Sequence, residues 1–297
     1  MPTKERLNLL AKNLGIKGYS KMDKTILEKT LENFPTTKGG IPKVIHQIWL
    51  GGPIPEIQSL YMKTWKQMNG WTYKLWSDKD ITIENFPITY PYIQDSLKIG
   101  REQFGNVKKK YAQVSDFMRL EILYHNGGLY ADATLEALKN FNTLLDKKSY
   151  QLVLCNEDTC GFNCHGRYNK KYISNSFIAS IPYHPALNKL LDWRKLDTIK
   201  LESPLVNVES GPYYLGYIKP IEGVVMLPTE LIYPHIYESA YRKEVPDNCV
   251  SWKRIEGVTN KVIIEHGKEI YLQYPCKQFP DSYAIKHWDV GGSWLIK

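Results

Sequence analysis

The segment 111–136, YAQVSDFMRLEILYHNGGLYADATLE, contains a helix pattern, a glycine stop, a short apolar run and an acidic residue in immediate succession. Apolar residues recur at helical spacing through its first half, which predicts a buried helix. Gly127 and Gly128 supply the permissive backbone that ends a helix. Residues 129–131 then predict an interior strand that runs directly into Asp132. Because ligands of open α/β sheets bind where strands end, Asp132 is a candidate site residue.

The predicted helix carries two charged residues on one face. Asp116 and Arg119 are three positions apart, so their side chains are neighbours on the helix surface. Burying a charge costs several kcal/mol per ion unless the charge is paired or holds a ligand. Two interpretations therefore remain open, an internal ion pair and a ligand-binding pair.

These motifs resemble those of the family 32 glycosyltransferases, the DXD-type sugar transferases that include yeast mannosyltransferases and bacterial capsule enzymes. They are more distantly similar to the glucosyltransferase domains of large clostridial toxins. The matching segments are IPKVIHQIW at 41–49, Trp65, WSD at 76–78, Ser115-Asp116-x-x-Arg119, GGLYxD at 127–132, Asn175, SGP at 210–212, and His287 followed by Ser293-Trp294. The resemblance spans residues 41–295 and implies a GT-A type α/β fold, a Rossmann-like mixed sheet flanked by helices that binds a nucleotide sugar.

The order of secondary-structure patterns supports an α/β fold independently of the resemblance. Strands are predicted at residues 43–50, 151–155 and 173–180, and helices at residues 56–69 and 185–194. Strands that alternate with helices are typical of an α/β sheet.

Residues 1–36 form a separate unit in the sequence, because two amphipathic helix patterns flank a glycine-containing turn. This pattern resembles the SAP and Rho-N-like helical modules, and a linker joins it to the GT-A glycosyltransferase domain at 41–297. A unit this short hardly holds a core alone, so we expect it to dock on the main domain or on a partner. Nucleic-acid binding is the less favoured alternative, since the unit has only a small excess of positive charge.

The resemblance implies roles for particular residues. The expected catalytic residues are Asp116, Arg119 and Asp132. The expected donor-binding residues are Trp49, Leu50, Asp116, Arg119, Tyr130, Asp132, Asn175, Ser293 and Trp294. In the toxin domains, the segment that matches Trp49 holds uracil, whereas the alternative for this tryptophan is a place in the core. The alternative for Asn175 is a strand-end amide that satisfies backbone groups, and Ser210 is predicted to cap the start of a helix.

The expected metal site departs from the family pattern. Where the family has Asp-x-Asp, this chain has Asp132-x-Thr134. The resemblance implies Mn²⁺ or Mg²⁺, hard cations that prefer oxygen ligands, with Asp132, His287 and Thr134 as candidate ligands. Three alternatives stay open: Asp132 binds the metal with help from His287 or Ser293, Glu136 replaces the missing acid, or the protein works with little or no metal.

Composition places the chain among ordinary folded proteins, with 297 residues, 43% hydrophobic residues and a net charge of +8. The sequence contains no apolar run of about 18 residues that would cross a bilayer, and its N-terminus lacks the apolar core of a signal peptide. We therefore expect a cytoplasmic enzyme of bacterial or viral type, in the host cytoplasm or virion if viral. The positive charge suits anionic partners such as nucleotide diphosphates, but does not select among them.

The sequence thus predicts a retaining glycosyltransferase that moves a hexose from a nucleotide sugar to a glycan or other hydroxyl acceptor. Uracil stacking slightly favours a UDP-sugar over GDP-mannose. The alternatives are a degenerate sugar-nucleotide-binding protein without turnover, suggested by Thr134, and a nucleic-acid-associated protein that acts through the N-terminal module. Nucleic acid is the least expected partner.

Overall fold

The computed structural model describes residues 4–13, 16–32, 40–156, 173–218, 223–234, 262–265, 268–271 and 280–287. Its α-helices are α1 Lys4–Asn13, α2 Lys24–Glu32, α3 Glu56–Lys66, α4 Tyr90–Glu102, α5 Tyr111–Asn126, α6 Asn142–Leu145, α7 Pro185–Leu190, α8 Trp193–Leu196, α9 Val206–Glu209 and α10 Pro212–Leu215. Its strands are β1 Val44–Ile48, β2 Thr72–Trp76, β3 Gly128–Ala131, β4 Leu135–Ala137, β5 Leu152–Cys155, β6 Phe177–Ser180, β7 Val224–Leu227, β8 Val262–Glu265, β9 Lys268–Tyr271 and β10 Ala284–Lys286.

Six of these strands form one mixed sheet in the order β2-β1-β3-β6-β5-β7. Strand β1 is parallel to both β2 and β3, and β5 is parallel to β7. Strand β6 lies between β3 and β5 and is antiparallel to both. The predicted α/β fold, a mixed sheet flanked by helices, is confirmed.

The central strands are buried on both faces, and their side chains alternate between two apolar clusters. In β3, Tyr130 belongs to the cluster that contains the apolar side chains of α5. Its neighbours Leu129 and Ala131 belong to the opposite cluster, together with Trp65 of α3. Trp65 is fully buried and donates a 2.7 Å hydrogen bond from Nε1 to the backbone oxygen of Leu135. It is therefore a core residue and not a site residue.

The connection from α5 to β3 sets the position of the helix over the sheet. After Asn126 the chain reverses through two glycines with positive φ, 62° at Gly127 and 95° at Gly128. A Cβ on Gly128 would lie 2.5 Å from the backbone oxygen of Val44, so β1 and β3 approach too closely for a side chain there. Because α5 turns back along β3, its N-terminal half lies near the carboxyl end of that strand.

The N-terminal helices share the core of the main domain. Leu7, Ala11 and Leu27 are buried in the same apolar cluster as Phe86 and Ile93. The predicted domain boundary near residue 36 lies outside the described residues and stays a prediction. Among the described helices, none is both long and apolar enough to cross a membrane.

Two predicted elements differ from those in the structure. The helix expected at 185–194 is divided into α7 and α8, because the Asp192 side chain accepts a 3.1 Å hydrogen bond from the Arg194 amide and starts a new helix. The strand expected at 173–180 is regular only as β6, since Ser174 and Ser176 hydrogen-bond each other through their hydroxyls at 3.0 Å just before it.

Candidate functional site

The expected site residues meet at one edge of the sheet, which we call the carboxyl edge. It is formed by the ends of β1 and β3 and by the start of the antiparallel β6. Trp49 follows β1, Asp132 follows β3 and Asn175 precedes β6, so sheet topology alone brings these three residues to the same edge. The N-terminal half of α5 adds Asp116 and Arg119 above them.

Asp116 and Arg119 form a buried ion pair. The distance from Arg119 Nη2 to Asp116 Oδ1 is 3.1 Å, and their side chains are only 5–6% exposed. Arg119 also donates to the backbone oxygen of Asn175 at 2.7 Å and to Ser115 Oγ at 3.0 Å. Its guanidinium group lies 4.6 Å from the ring centre of Tyr130. The arginine is therefore fixed on several sides before any ligand arrives.

Asp116 is held by two further donors from distant parts of the chain. Asn175 Nδ2 donates to Oδ1 at 2.8 Å, and Ser210 Oγ donates to Oδ2 at 2.8 Å. Burial raises the pKa of Asp116 to about 6, although Arg119 and the Ser210 hydrogen bond act in the opposite direction. Asp116 is thus a carboxylate that titrates near neutral pH.

The helix cap predicted at Ser210 is wrong. Ser210 follows the last residue of α9, and Gly211 occupies the N-cap position of α10. The serine hydroxyl is directed to Asp116 instead, where it offsets part of the cost of burying a carboxylate.

Asp132 lies at the mouth of the same cluster. Its side chain is 23% exposed, and its Oδ1 is 3.3 Å from Arg119 Nη1. Tyr130 donates to Oδ1 at 2.7 Å, and Lys286 donates to Oδ2 at 2.7 Å. Partial burial on its own would raise the pKa of Asp132, but the charges of Lys286 and Arg119 outweigh it and lower the pKa to about 2.

The backbone of Asp132 is fixed as firmly as its side chain. Its amide donates to the backbone oxygen of Ser176 at 2.9 Å. Its carbonyl accepts a 3.2 Å hydrogen bond from Gln47 Nε2, and Gln47 in turn accepts from the Tyr73 hydroxyl at 2.9 Å. The carboxylate therefore projects from a rigid strand end.

Lys286 is the last residue of β10, which pairs antiparallel with β4, and His287 follows it. Lys286 contacts Asp132, whereas His287 Nε2 lies 2.8 Å from Glu136 Oε2, and both members of that second pair are buried. The His287 ring stacks on Tyr61 at 4.1 Å between ring centres. The structure therefore brings Lys286, and not His287, to the carboxylate of Asp132.

The described residues around Asp132 do not supply a ligand set that fits a divalent cation. Asp132 is the one carboxylate of the expected motif, and Thr134 contributes its backbone oxygen to the His287 amide at 2.9 Å. The described residues contain no cluster of three or more side chains suited to a metal ion. A divalent cation at Asp132 Oδ2 would also face the Lys286 ammonium, which repels each unit of its charge by about 4 kcal/mol at about 4 Å and an effective dielectric constant of 20.

Trp49 begins a glycine loop after β1. The indole is half-buried, and its Nε1 donates to the backbone oxygen of Gly52 at 3.1 Å. Gly51 has a φ of 88°, and a Cβ there would lie 2.1 Å from the Tyr111 ring. The Gly51 amide donates to Asp78 at 2.9 Å, so the WSD segment fixes this loop. Leu50 packs against the core beside it.

Most of the expected residues are thus placed together. Asp116, Arg119, Tyr130, Asp132 and Asn175 form one connected cluster. Ser293 and Trp294 lie outside the described residues, and the donor-binding and catalytic roles of all these residues stay predictions. Sequence reasoning missed Lys286 and the contact from Ser210 to Asp116. A lysine in an otherwise apolar strand was the signal that would have identified Lys286.

The central region of the chain matches a known family model. Residues 55–151 match the glycosyltransferase sugar-binding region containing a DXD motif. The matched region includes Asp116, Arg119 and Asp132, so the family resemblance predicted from the motifs is confirmed. It also includes Thr134, at the position where the motif expects its second acid.

Two curated relatives come from Schizosaccharomyces pombe. Inositol phosphoceramide mannosyltransferase 1 is 29% identical over 214 residues, which cover 64% of this chain and 57% of that protein. Inositol phosphoceramide mannosyltransferase 2 is 25% identical over 211 residues, which cover 70% of this chain and 49% of that protein. The chain thus spans about half the length of these relatives. Among solved structures, PaToxG glycosyltransferase aligns with 65% of this chain and 74% of its own, at 21% identity and a TM-score of 0.39.

Proposed function

We propose that this chain is a glycosyltransferase of the GT-A type, which moves a hexose from a nucleotide-diphosphate sugar to a hydroxyl acceptor with retention of configuration. The observation that carries the proposal is the Asp116–Arg119 pair beside Asp132, at a strand edge inside the region that matches the family. The second carboxylate on the same arginine is 23% exposed, so the cluster opens at the edge where a ligand would bind.

The proposed donor site is an electrostatic one. Breaking the bond between the sugar and the diphosphate produces negative charge on the leaving diphosphate, and preorganised cations stabilise that charge. Arg119 is preorganised by its contacts with Ser115 and Asn175. Asp116 would accept hydrogen bonds from sugar hydroxyls and orient the ring. In the proposed reaction, the acceptor oxygen bonds to the anomeric carbon and its proton leaves with the diphosphate.

Retention follows, within the proposal, from attack on the face that the diphosphate leaves. The family resemblance implies this outcome. The carboxylates of Asp116 and Asp132 are both held by cations and hydrogen-bond donors, which makes them poor nucleophiles. No residue is therefore proposed to form a covalent sugar intermediate.

Two observations bear on the identity of the donor sugar, and they favour different nucleotides. Stacking on Trp49 favours a uridine nucleotide, whereas the two yeast relatives are mannosyltransferases by name. We therefore propose testing UDP-glucose, UDP-galactose, UDP-N-acetylglucosamine and GDP-mannose together. Inositol phosphoceramide is the first acceptor to test, because those relatives are named for it.

The test is release of nucleoside diphosphate from each donor, with and without acceptor, in EDTA and in Mn²⁺. The proposal predicts release from one donor that increases when a suitable acceptor is added. Anomeric configuration of the product, measured by NMR, checks retention.

The test variant is Asp116→Asn, which keeps the size of the side chain and removes its charge. We expect its turnover to fall at least a hundredfold, because the charge partner of Arg119 is lost. If wild type binds donors but releases no nucleotide, the chain is a silent sugar-nucleotide-binding protein instead.

A further inference from the structure

We infer that the Lys286 ammonium is the resident cation of the donor site and binds the diphosphate of a nucleotide sugar in place of a divalent metal ion. The inference rests on the proposed function and identifies the group that would recognise the charged part of the donor.

The first support is the position of Lys286. Its Nζ lies 2.7 Å from Oδ2 of Asp132, the single acid that the motif retains, whereas Oδ1 of that acid faces Arg119. The lysine side chain is 11% exposed and the aspartate is 23% exposed, so the pair is partly open. A cation that binds a ligand at the carboxyl edge would have to lie beside Asp132 and be partly exposed, as Lys286 is.

The second support is the charge balance of the cluster. Asp116 and Asp132 carry two negative charges, and Arg119 and Lys286 carry two positive charges. A motif with two acids needs an added cation before it can accept a diphosphate, because like charges repel. This site has Thr134 where the motif expects its second acid, and it has Lys286 beside the acid that remains, so it accepts an anion without added metal.

The third support is preorganisation. Lys286 is fixed on β10, where it pairs with Leu135 of β4, only three positions after Asp132. An ammonium group has three donors, so it is able to hold Asp132 and a phosphate oxygen together. Lysine is an ordinary phosphate-binding residue as a point charge. Asp132 would then position Lys286 rather than bind a metal.

The alternative is that Lys286 only neutralises Asp132 and has no part in donor binding. The two possibilities differ in their effect on nucleotide affinity, and they are separated by calorimetric titration of the full chain with UDP and GDP. Each titration is done in EDTA and again in Mn²⁺, so the metal dependence is measured directly.

For wild type, we expect one of the two nucleotides to bind with the same dissociation constant in EDTA and in Mn²⁺, within about twofold. Lys286→Met removes the charge but keeps a similar length, and is expected to weaken binding about ten- to a hundredfold. Lys286→Arg retains the cation and is expected to bind within about tenfold of wild type.

Lys148→Met is the matched control for loss of one positive charge. Lys148 is exposed and precedes β5, whose first residue lies at the edge of the sheet opposite Asp132. The Lys148→Met variant is expected to bind the nucleotide with the same affinity as wild type. The thermal midpoint of each variant shows whether it is folded. If Lys286→Met does not fold, the affinity of Lys286→Arg and the wild-type affinities in EDTA and in Mn²⁺ still test the inference.

Three results would overturn the inference. Binding by wild type only in Mn²⁺ would show that a metal is required, and would leave the proposed function intact. Equal affinity of wild type and folded Lys286→Met would reduce the lysine to a neutralising role. No binding of either nucleotide under any condition would remove the proposed function and this inference together.

Discussion

Lys286 is the last residue of β10 and His287 follows it directly, yet their side chains contact two different carboxylates. Lys286 pairs with Asp132 at 2.7 Å, where the carboxylate is 23% exposed. His287 pairs with Glu136 at 2.8 Å, where the side chains are 1% and 5% exposed and Tyr61 covers the ring. The first pair opens toward the proposed donor site, and the second is sealed in the protein.

The difference comes from the phase of the strand and not from residue type. Successive side chains of a strand point to opposite faces, so a shift of one residue exchanges the two environments. The family resemblance implied His287 as a metal ligand, and histidine is a common ligand of metals. The structure directs it away from Asp132 and gives that acid a lysine. The open pair should therefore control ligand binding and the sealed pair should control stability.

The largest effect is expected next to the open pair, at Arg119. Arg119→Lys keeps the charge but loses the planar fork that contacts Asp116, Asp132 and the Asn175 carbonyl. We expect kcat/KM for nucleotide release to fall about 10²- to 10³-fold, a loss of about 3–4 kcal/mol of transition-state stabilisation. Turnover within threefold of wild type would show that the cluster is not catalytic.

The sealed pair should respond in stability instead. His287→Ala leaves the Glu136 carboxylate buried without the histidine, and removes the ring that stacks on Tyr61. We expect the free energy of unfolding to fall by about 3 kcal/mol, measured by urea denaturation. His287→Gln retains a hydrogen-bond donor and should lose less. A large change in the nucleotide affinity of folded His287→Ala, with stability unchanged, would show that the His287–Glu136 pair controls ligand binding and not stability.

Two substitutions should exchange the proposed resident cation, Lys286, for a metal ion. The double variant Thr134→Asp/Lys286→Met restores the second acid and removes the ammonium group. Its nucleotide affinity should become dependent on Mn²⁺ by about tenfold or more, since two carboxylates suit a hard cation. Calorimetry in Mn²⁺ and EDTA measures this, with Thr134→Asp alone as the control. A double variant as insensitive to Mn²⁺ as wild type would argue against the exchange.

The smallest effect concerns pH, and it separates the two acids of the cluster. The pKa of Asp132 is lowered to about 2, so this acid stays ionised in the working range. The pKa of Asp116 is raised to about 6 by burial, so its charge disappears as the pH falls through 6. We expect kcat/KM to decrease about tenfold per pH unit below that value. An acid limb that persists unchanged in Asp116→Asn would assign it to another group.

Local patterns in the sequence predicted much of the fold. Helix α5, the glycine turn and β3 follow from apolar periodicity and glycine placement within one segment, and sheet topology then brings Trp49, Asp132 and Asn175 to one edge. These features depend on short-range rules, which a single sequence carries.

The side chains that contact Asp132 and Asp116 come from distant parts of the chain. Their positions depend on strand register, which cannot be read from a single sequence. Asp132 and Lys286 are 154 positions apart in the chain, and Ser210 is 94 positions from Asp116. A one-residue change in the phase of β10 would exchange Lys286 and His287. Ser210 was predicted to cap a helix, but it lies between two short helices. Its hydroxyl donates a hydrogen bond to Asp116 instead.

The most direct test of the account is the thermal midpoint of the wild-type chain with each of the four nucleotide sugars, in EDTA and in Mn²⁺. A ligand at 100 times its dissociation constant adds about 2.7 kcal/mol, which raises the midpoint by several degrees. If Lys286 binds the diphosphate without a metal, one donor raises the midpoint equally in both conditions. A donor that acts only in Mn²⁺ would contradict the role of Lys286, and a midpoint unmoved by every donor would contradict the nucleotide-sugar site itself.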